Sequence, residues 1–336
     1  MSTAQVLAPA GVHGAFSPPP RPWLSLYGVL LKPPPSYYLE DDGSLALIQR
    51  QFTDEMMTTI FSRLGPYAMG RAACVCRQWR YLAKSPKLWE AACRDALSPP
   101  AHRDIAADQL LKVLAHKFRC SWQRLFLEVP HVRFDGVYVA RNTYIRVGAV
   151  ELHRHSQTVF LACYYRYYRF FPNGQMLYRT SPHVLKAVVR SLARTPAALQ
   201  AARANPAANR AAADDAQHVH SGRYCVADGR VRTVIVYPNA RGTEVRARLA
   251  LRSTSPGACN RLDVESLCTY DWETRTSSPF PTDPGADEDE AAYVGQGAER
   301  RAHTRGLATF MFVPWEEVMT SMVNLPVSKM DVMLTG

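Results

Sequence analysis

The hydrophobic pattern changes its period close to residue 131, and this change constrains the fold more than any other feature of the 336-residue sequence. Between residues 47 and 130, apolar residues recur at the spacing of one face of a helix. After residue 131, β-branched and aromatic residues form short runs that are separated by turn residues, as expected for strands. We therefore predict an α+β protein, with helices first and an antiparallel sheet afterwards.

The second half contains roughly eight strand-like runs with short connections, the pattern of an antiparallel meander or barrel. In one predicted hairpin, Pro172 and Asn173 suit the corners of a turn, and Gly174 suits the left-handed position that follows. A second predicted turn is centred on Asp228 and Gly229. We expect residues 131–336 to form an antiparallel β-barrel-like domain.

Three segments have the composition of irregular chain. Residues 1–46 are rich in proline, glycine, alanine and serine, which predicts a disordered N-terminal tail. Residues 195–216 are alanine-rich and of low complexity, and residues 278–304 contain an acidic run. We predict that both are low-complexity insertions at the surface of the β domain.

Composition limits the cellular compartments and the kinds of partner that we expect for this protein. No apolar run is long enough to cross a bilayer, and the tail lacks the pattern of a secretory signal. The 8 cysteines form no Cys-x-x-Cys pair, which favours free thiols in a reducing compartment. We therefore expect a cytoplasmic and/or nuclear protein that does not associate with a membrane. The net charge of +11 is spread along the sequence and admits an acidic partner, nucleic acid or no specific partner.

Residues 52–93 predict three short helices. Thr53 or Asp54 can cap the first helix, and Gly65-Pro66 can end it. The second helix would run from Met69 to Ala83, and Ser85-Pro86 would begin the third. A module of this size forms only a small core, so we expect it to expose apolar surface and to bind a partner.

The stretch "CVCRQWR" at residues 74–80 poses the question of a metal site. On a continuous second helix, Cys74 and Cys76 would point to nearly opposite sides and could not chelate one ion together. We therefore interpret Cys76 as a small buried residue and predict no metal there.

This helical segment resembles the F-box. Phe52-Thr53 stands where the family has Leu-Pro, and Glu55, "IFSRL" at 60–64, "VCRQWR" at 75–80 and "LW" at 88–89 match the family pattern. The resemblance implies that residues 47–97 bind a Skp1-like adaptor and, through it, a cullin. The residues that it assigns to the adaptor contact are Phe52, Glu55, Met56, Ile60, Phe61, Leu64, Val75, Cys76, Trp79, Leu82, Leu88 and Trp89.

The resemblance continues beyond a helical connector at residues 98–130. The stretches "SWQRLFLEVPHVRFDGVYVARNTYIRVG" and "YYRYYRFFPNGQMLYRTS" are similar to the C-terminal half of the plant F-box protein 7 group and, more distantly, of the F-box only protein nine group. This similarity implies a plant or green algal source. It also implies a non-catalytic substrate-recognition subunit of an SCF-type (Skp1–cullin–F-box) E3 ubiquitin ligase, with no cofactor, whose β domain holds an unknown target protein.

Alternatives from other classes remain open at this point. The aromatic run "YYRYYRFF" at residues 164–171 would suit RNA, although its alternation divides the rings between two strand faces, which favours core packing. The pairs His153/His155 and His218/His220 share a strand face, yet surface histidines are the more common explanation. Gly136-x-Tyr138 begins a barrel that would either hold a small apolar ligand or be filled by its own side chains.

Overall fold

The computed structural model describes residues 46–97, 101–106, 108–147, 159–205, 210–236, 242–279 and 307–326. Within these ranges the chain forms two compact units. The helical unit contains the residues up to 95 together with 105–128, and the barrel unit contains 96–104 and the residues from 129 onwards. The predicted connector is therefore divided, because its first residues belong to the barrel unit and its two helices belong to the helical unit.

The helical unit begins with a short helix at Leu47–Gln51, which lies inside the range of predicted helical spacing and precedes the three helices predicted for residues 52–93. Thr53 caps the second helix, since its hydroxyl accepts a hydrogen bond from the backbone N–H of Met56 at 3.4 Å. Pro66 occupies the start of the third helix, as predicted. The helices are α1 (Leu47–Gln51), α2 (Asp54–Phe61), α3 (Pro66–Ala72), α4 (Arg77–Leu82), α5 (Pro86–Ala96), α6 (Leu110–Phe118) and α7 (Trp122–Glu128).

The prediction of one continuous helix from Met69 to Ala83 was wrong. The chain leaves the helix after Ala72, and Cys76 has an extended backbone with φ −151°. The Cys76 Sγ accepts a hydrogen bond from the backbone N–H of Trp79 at 3.4 Å, so this residue caps α4. Cys76 is half-buried rather than a buried filler, and the angular argument about Cys74 and Cys76 loses its basis.

The barrel unit closes as an eight-stranded antiparallel barrel, as the sequence predicted. Strands β1 to β6 pair in chain order, β7 pairs with β6, and β9 pairs with both β7 and β1. Among the strands of the described residues, the short β8 pairs with β7. The strands are β1 (Gly136–Val147), β2 (Val159–Phe170), β3 (Gln175–Ser181), β4 (Val219–Ala227), β5 (Arg230–Val236), β6 (Thr243–Arg252), β7 (Arg261–Asp271), β8 (Ser277–Pro279) and β9 (Phe310–Pro314).

Both predicted turns are confirmed. Gly174 has φ 76°, and its backbone N–H donates to the carbonyl of Phe171 at 3.2 Å. Asp228 and Gly229 both have positive φ and form the two-residue link between β4 and β5. Two successive positive φ values are the requirement of a type I′ hairpin, which explains the Asp-Gly sequence.

The aromatic run on β2 is buried on both faces of the sheet. Tyr168 and Phe170 point into the barrel and join the inward residues of the other strands. Tyr165 and Tyr167 point outward and pack under α8 (Leu185–Leu192). These rings therefore form core, as the alternation favoured, and offer no stacking face to RNA.

The start of β1 shows how tightly the barrel closes. A Cβ atom on Gly136 would lie 2.2 Å from the carbonyl oxygen of Val313, so only glycine fits against β9. Tyr138 is fully buried, and its hydroxyl donates to the carbonyl of Cys259 at 2.6 Å. The inward side chains of all eight barrel strands form one cluster, which favours a barrel filled by its own side chains.

The prediction of a low-complexity insertion at 195–216 was wrong where the structure describes it. Residues 196–204 form α9 (Pro196–Ala204) and residues 210–217 form α10 (Arg210–Gln217). Leu199 is fully buried against Leu177, Ala216 and Val219. Alanine has the highest intrinsic helix propensity, so this composition indicated helix rather than disorder. Of the segment 278–304, residues 278–279 end β8, and the remainder lies outside the described residues together with the predicted tail up to residue 45.

Within the described ranges, no helix combines the length and the apolar character that crossing a bilayer requires.

Candidate adaptor-docking face

Six large apolar side chains of the F-box segment are exposed, and we name this set the docking face. Met56 and Ile60 are one helical turn apart on α2 and are 50% and 41% exposed. The others are Leu47 and Ile48 on α1, Leu64 after the end of α2 and Val75 in the turn before α4. Apolar side chains that are exposed together on neighbouring elements point to a binding surface, whereas single exposed ones do not.

Two side-chain hydrogen bonds connect the elements that carry the docking face. The Gln78 amide donates to the Asp54 carboxylate at 3.0 Å and joins α4 to the start of α2. The Gln49 amide donates to the Cys76 Sγ at 3.5 Å and joins α1 to the residue that follows Val75. The face therefore rests on a fixed arrangement of three short helices.

Four of the twelve residues predicted to contact the adaptor lie in the core of the helical unit instead. Phe61 was favoured as an interface residue but is only 1% exposed, because its ring packs edge to face on Trp79 at 5.6 Å. Trp89 is buried, and its indole N–H donates to the carbonyl of Ala83 at 2.7 Å. Leu82 and Leu88 are buried as well. In this structure these four residues support the docking face from below.

The remaining predicted residues have intermediate positions. Phe52, Cys76 and Trp79 are half-buried, and Glu55 is exposed in the first turn of α2. The pattern missed Leu47 and Ile48, both of which are exposed on α1. The signal that could have found them is the apolar pair just before the F-box motif, followed by a polar run.

The most strongly shifted pKa values belong to core residues. Burial raises the pKa of the Cys93 thiol to about 12 and lowers the pKa of His131 to about 4. Burial likewise raises the pKa of Tyr165 to about 12. Such groups are inert near neutral pH. The part of the chain that the structure describes contains no metal-binding cluster of His, Cys, Asp and Glu; His153 and His155 lie outside it.

Comparison with known proteins shows the family to which the chain belongs. The model of the F-box only protein C-terminal region matches residues 111–336, which is more than half of the chain. The chain belongs to the F-box only protein family. A separate F-box-like model matches residues 54–95, the segment that carries α2 to α5.

Two curated relatives extend the comparison for this F-box only protein. It is 28% identical over 119 residues to F-box protein pof7 of Schizosaccharomyces pombe, which covers 35% of this chain and 32% of the relative. It is 38% identical over 69 residues to F-box protein HRT3 of Saccharomyces cerevisiae, which covers 20% of each protein. The chain thus spans a third or less of the length of these relatives, and both are from yeasts. The similarity to the plant F-box protein 7 group stays a prediction.

Proposed function

We propose that this protein is a substrate-recognition subunit of an SCF-type E3 ubiquitin ligase. F-box proteins in general bind Skp1 and a cullin in SCF complexes and act as non-catalytic adaptors. For this chain, the proposal assigns the Skp1-like adaptor to the docking face and a target protein to the barrel.

The observation that carries the proposal is the exposure of Met56, Ile60, Leu64 and Val75 on an F-box with a complete core beneath. Full burial of an isoleucine, leucine, valine or methionine contributes roughly 1.5–3 kcal/mol relative to full exposure, and these side chains, which are about half exposed, would gain roughly half of that. Amphipathic helices that interlock with the helices of a partner use anchors at this spacing. The buried Phe61, Leu82, Leu88 and Trp89 would keep these anchors in place.

Co-purification of the full chain with a Skp1-like adaptor tests the proposal. We expect Ile60→Asp to reduce capture of the adaptor at least roughly tenfold, because a carboxylate would be buried without a partner. The matched control is Leu111→Asp on α6, since Leu111 is 51% exposed, against 41% for Ile60, and lies outside the docking face. Circular dichroism of both variants checks that the helices still form.

Equal capture of the adaptor by the wild type and by Ile60→Asp would contradict the proposed docking face. Failure of the wild-type chain to capture any Skp1-like adaptor would contradict the ligase role itself.

A further inference from the structure

A concave groove of about 710 Å³ lies on the barrel unit across β4, β5, β6 and β7. The strand register orders the residues along it, since neighbouring strands place them side by side. These residues alternate with the inward residues of the barrel, so their side chains point away from the interior. One cross-strand row contains Arg223, Val234, Arg246 and Cys268, and the next contains Cys225, Arg232, Arg248 and Ser266.

The groove is strongly basic. Five arginines line it, and no carboxylate does so among the described residues. Two of the five form ion pairs with carboxylates that do not line the groove. Arg248 pairs with Glu265 at 2.9 Å, and Arg246 pairs with Glu244. The other three, Arg103, Arg223 and Arg232, form no ion pair within the described part of the chain.

The register places two of these arginines directly opposite each other. Arg232 on β5 faces Arg248 on β6, and both are exposed. Like charges in directly opposed positions destabilise a sheet. A bulge at Glu265 on β7 supplies one carboxylate, but that carboxylate is shared between Arg248 and Arg230. An anion bound between Arg232 and Arg248 would remove the repulsion.

We propose that this arginine groove binds an extended acidic peptide segment of a target protein. The proposal rests on the proposed function, because it names the chemistry by which the barrel recruits its target. Guanidinium groups bind carboxylates through paired hydrogen bonds. Neighbouring strands lie about 4.8 Å apart, and alternate side chains of an extended peptide lie about 6.7 Å apart, so successive carboxylates can reach arginines on different strands. Val234, Cys225 and Cys268 provide apolar surface for the side-chain stems.

The lining residues favour a peptide over RNA. Proteins that bind single-stranded RNA combine basic residues with exposed aromatic rings that stack on the bases. Among the described residues of the lining, Tyr224 is the aromatic one, and it is buried with its hydroxyl donated to the carbonyl of Phe171 at 2.8 Å. Tyr270, beside the groove, already has the guanidinium of Arg246 over its ring at 3.6 Å.

Fluorescence anisotropy of a labelled peptide rich in Asp and Glu, titrated with the full chain, measures the binding. A second background replaces Asp287, Glu288, Asp289 and Glu290 with the corresponding amides, because this acidic run has the same charge as the peptide and its replacement excludes competition from within the chain. We expect Arg223→Glu and Arg232→Glu to weaken binding at least roughly tenfold. The matched control is Arg210→Glu at the exposed start of α10, which should bind the peptide as the wild type does.

A stability measurement separates a binding role of Arg232 from a structural one. Arg232→Thr should lose peptide affinity and at the same time raise the melting temperature by roughly 1–3 °C, since it removes the opposed pair of charges and places a good strand residue on β5. A lower melting temperature together with lost binding would mean that Arg232 serves the fold, and it would overturn this part of the proposal.

Two results would overturn the groove proposal as a whole. One is that the peptide fails to bind in either background. The other is that an RNA oligonucleotide of equal charge binds more tightly than the peptide and is equally sensitive to Arg223→Glu. Capture of the adaptor in the same samples keeps the two proposals apart. Adaptor capture without peptide binding rejects the groove alone, and peptide binding without adaptor capture rejects the ligase role alone.

Discussion

The F-box helices leave Met56, Ile60 and Val75 exposed, whereas the barrel buries Tyr138 and Phe170 and presents arginines around its groove. Short helices cannot cover their apolar residues with one another, because a small module has too much surface for its volume. A closed barrel buries the side chains that point inward, and α8 covers part of the side chains that point outward. This contrast supports the two proposals, apolar docking by the helical unit and charge recognition by the barrel unit.

A substitution in the barrel core tests the burial side of this comparison. Phe170→Ala should lower the free energy of unfolding of the barrel by roughly 3–5 kcal/mol, because it leaves a cavity among Tyr138, Tyr168 and Tyr224. Ile60→Ala, on an exposed position, should change stability by no more than about 0.5 kcal/mol. Chemical denaturation measures both changes, and hydrogen exchange assigns each to its unit. Similar losses for the two variants would erase the distinction between core and docking face.

A smaller effect should separate the units by pH. His131 in the barrel unit is 1% exposed, and burial lowers its pKa from 6.5 to about 4. Between these values the unfolded chain binds a proton that the folded chain excludes, so stability present above pH 6.5 is lost as the pH falls towards 4. The loss should reach roughly 3 kcal/mol. Urea denaturation across this range measures it.

The control for this pH effect is His131→Gln, which keeps a donor for the carbonyl of Val129 but does not titrate. This variant should lose much of the decrease in the free energy of unfolding that the wild type shows as the pH falls from 6.5 to 4. His102, whose pKa is also lowered mainly by burial, should cause part of the pH dependence that remains in this variant. Residues 46–97 contain no histidine, so no histidine of the F-box segment contributes to this slope. An unchanged slope in His131→Gln would show that other groups cause the acid sensitivity.

The smallest effect sharpens the interpretation of the docking face. If Cys76 caps α4 through its Sγ, Cys76→Ser should keep or slightly raise stability, and Cys76→Ala should lower it by about 0.5–1 kcal/mol. Thermal unfolding of the three proteins measures the order. If the alanine variant matched the wild type, the sulfur would have no capping role.

The sequence was most informative where local chemistry decides the structure. Helix boundaries lie where the sequence placed them, at Thr53 and at Gly65-Pro66. The predicted turns form at Gly174 and at Asp228-Gly229, whose conformational preferences suit positive φ. The alternation of rings on β2 correctly favoured core packing, since both faces of that strand are covered.

The prediction was less successful where distant residues decide the outcome. Helical spacing continues through Cys76, yet the hydrogen bond from Gln49 and the cap of α4 stabilise a break there. The alanine-rich segment is folded because Leu199 packs on β3 and β4, a contact that composition does not reveal.

The arginine groove shows the same limit. Its charges are scattered in the sequence, and only the register of four strands brings them together. The division of the F-box residues into core and surface also required the structure, since Ile60 and Phe61 are adjacent in the sequence and have opposite exposure.

Closure of the barrel by β9 also determines the order in which the protein can fold. One edge of β1 at 136–147 pairs with β9 at 310–314, so closure of the barrel depends on contacts between residues far apart in the chain. The F-box helices make contacts over short separations and are synthesised first, and such contacts form faster than distant ones. A chain still leaving the ribosome would therefore complete its helices before its barrel can close.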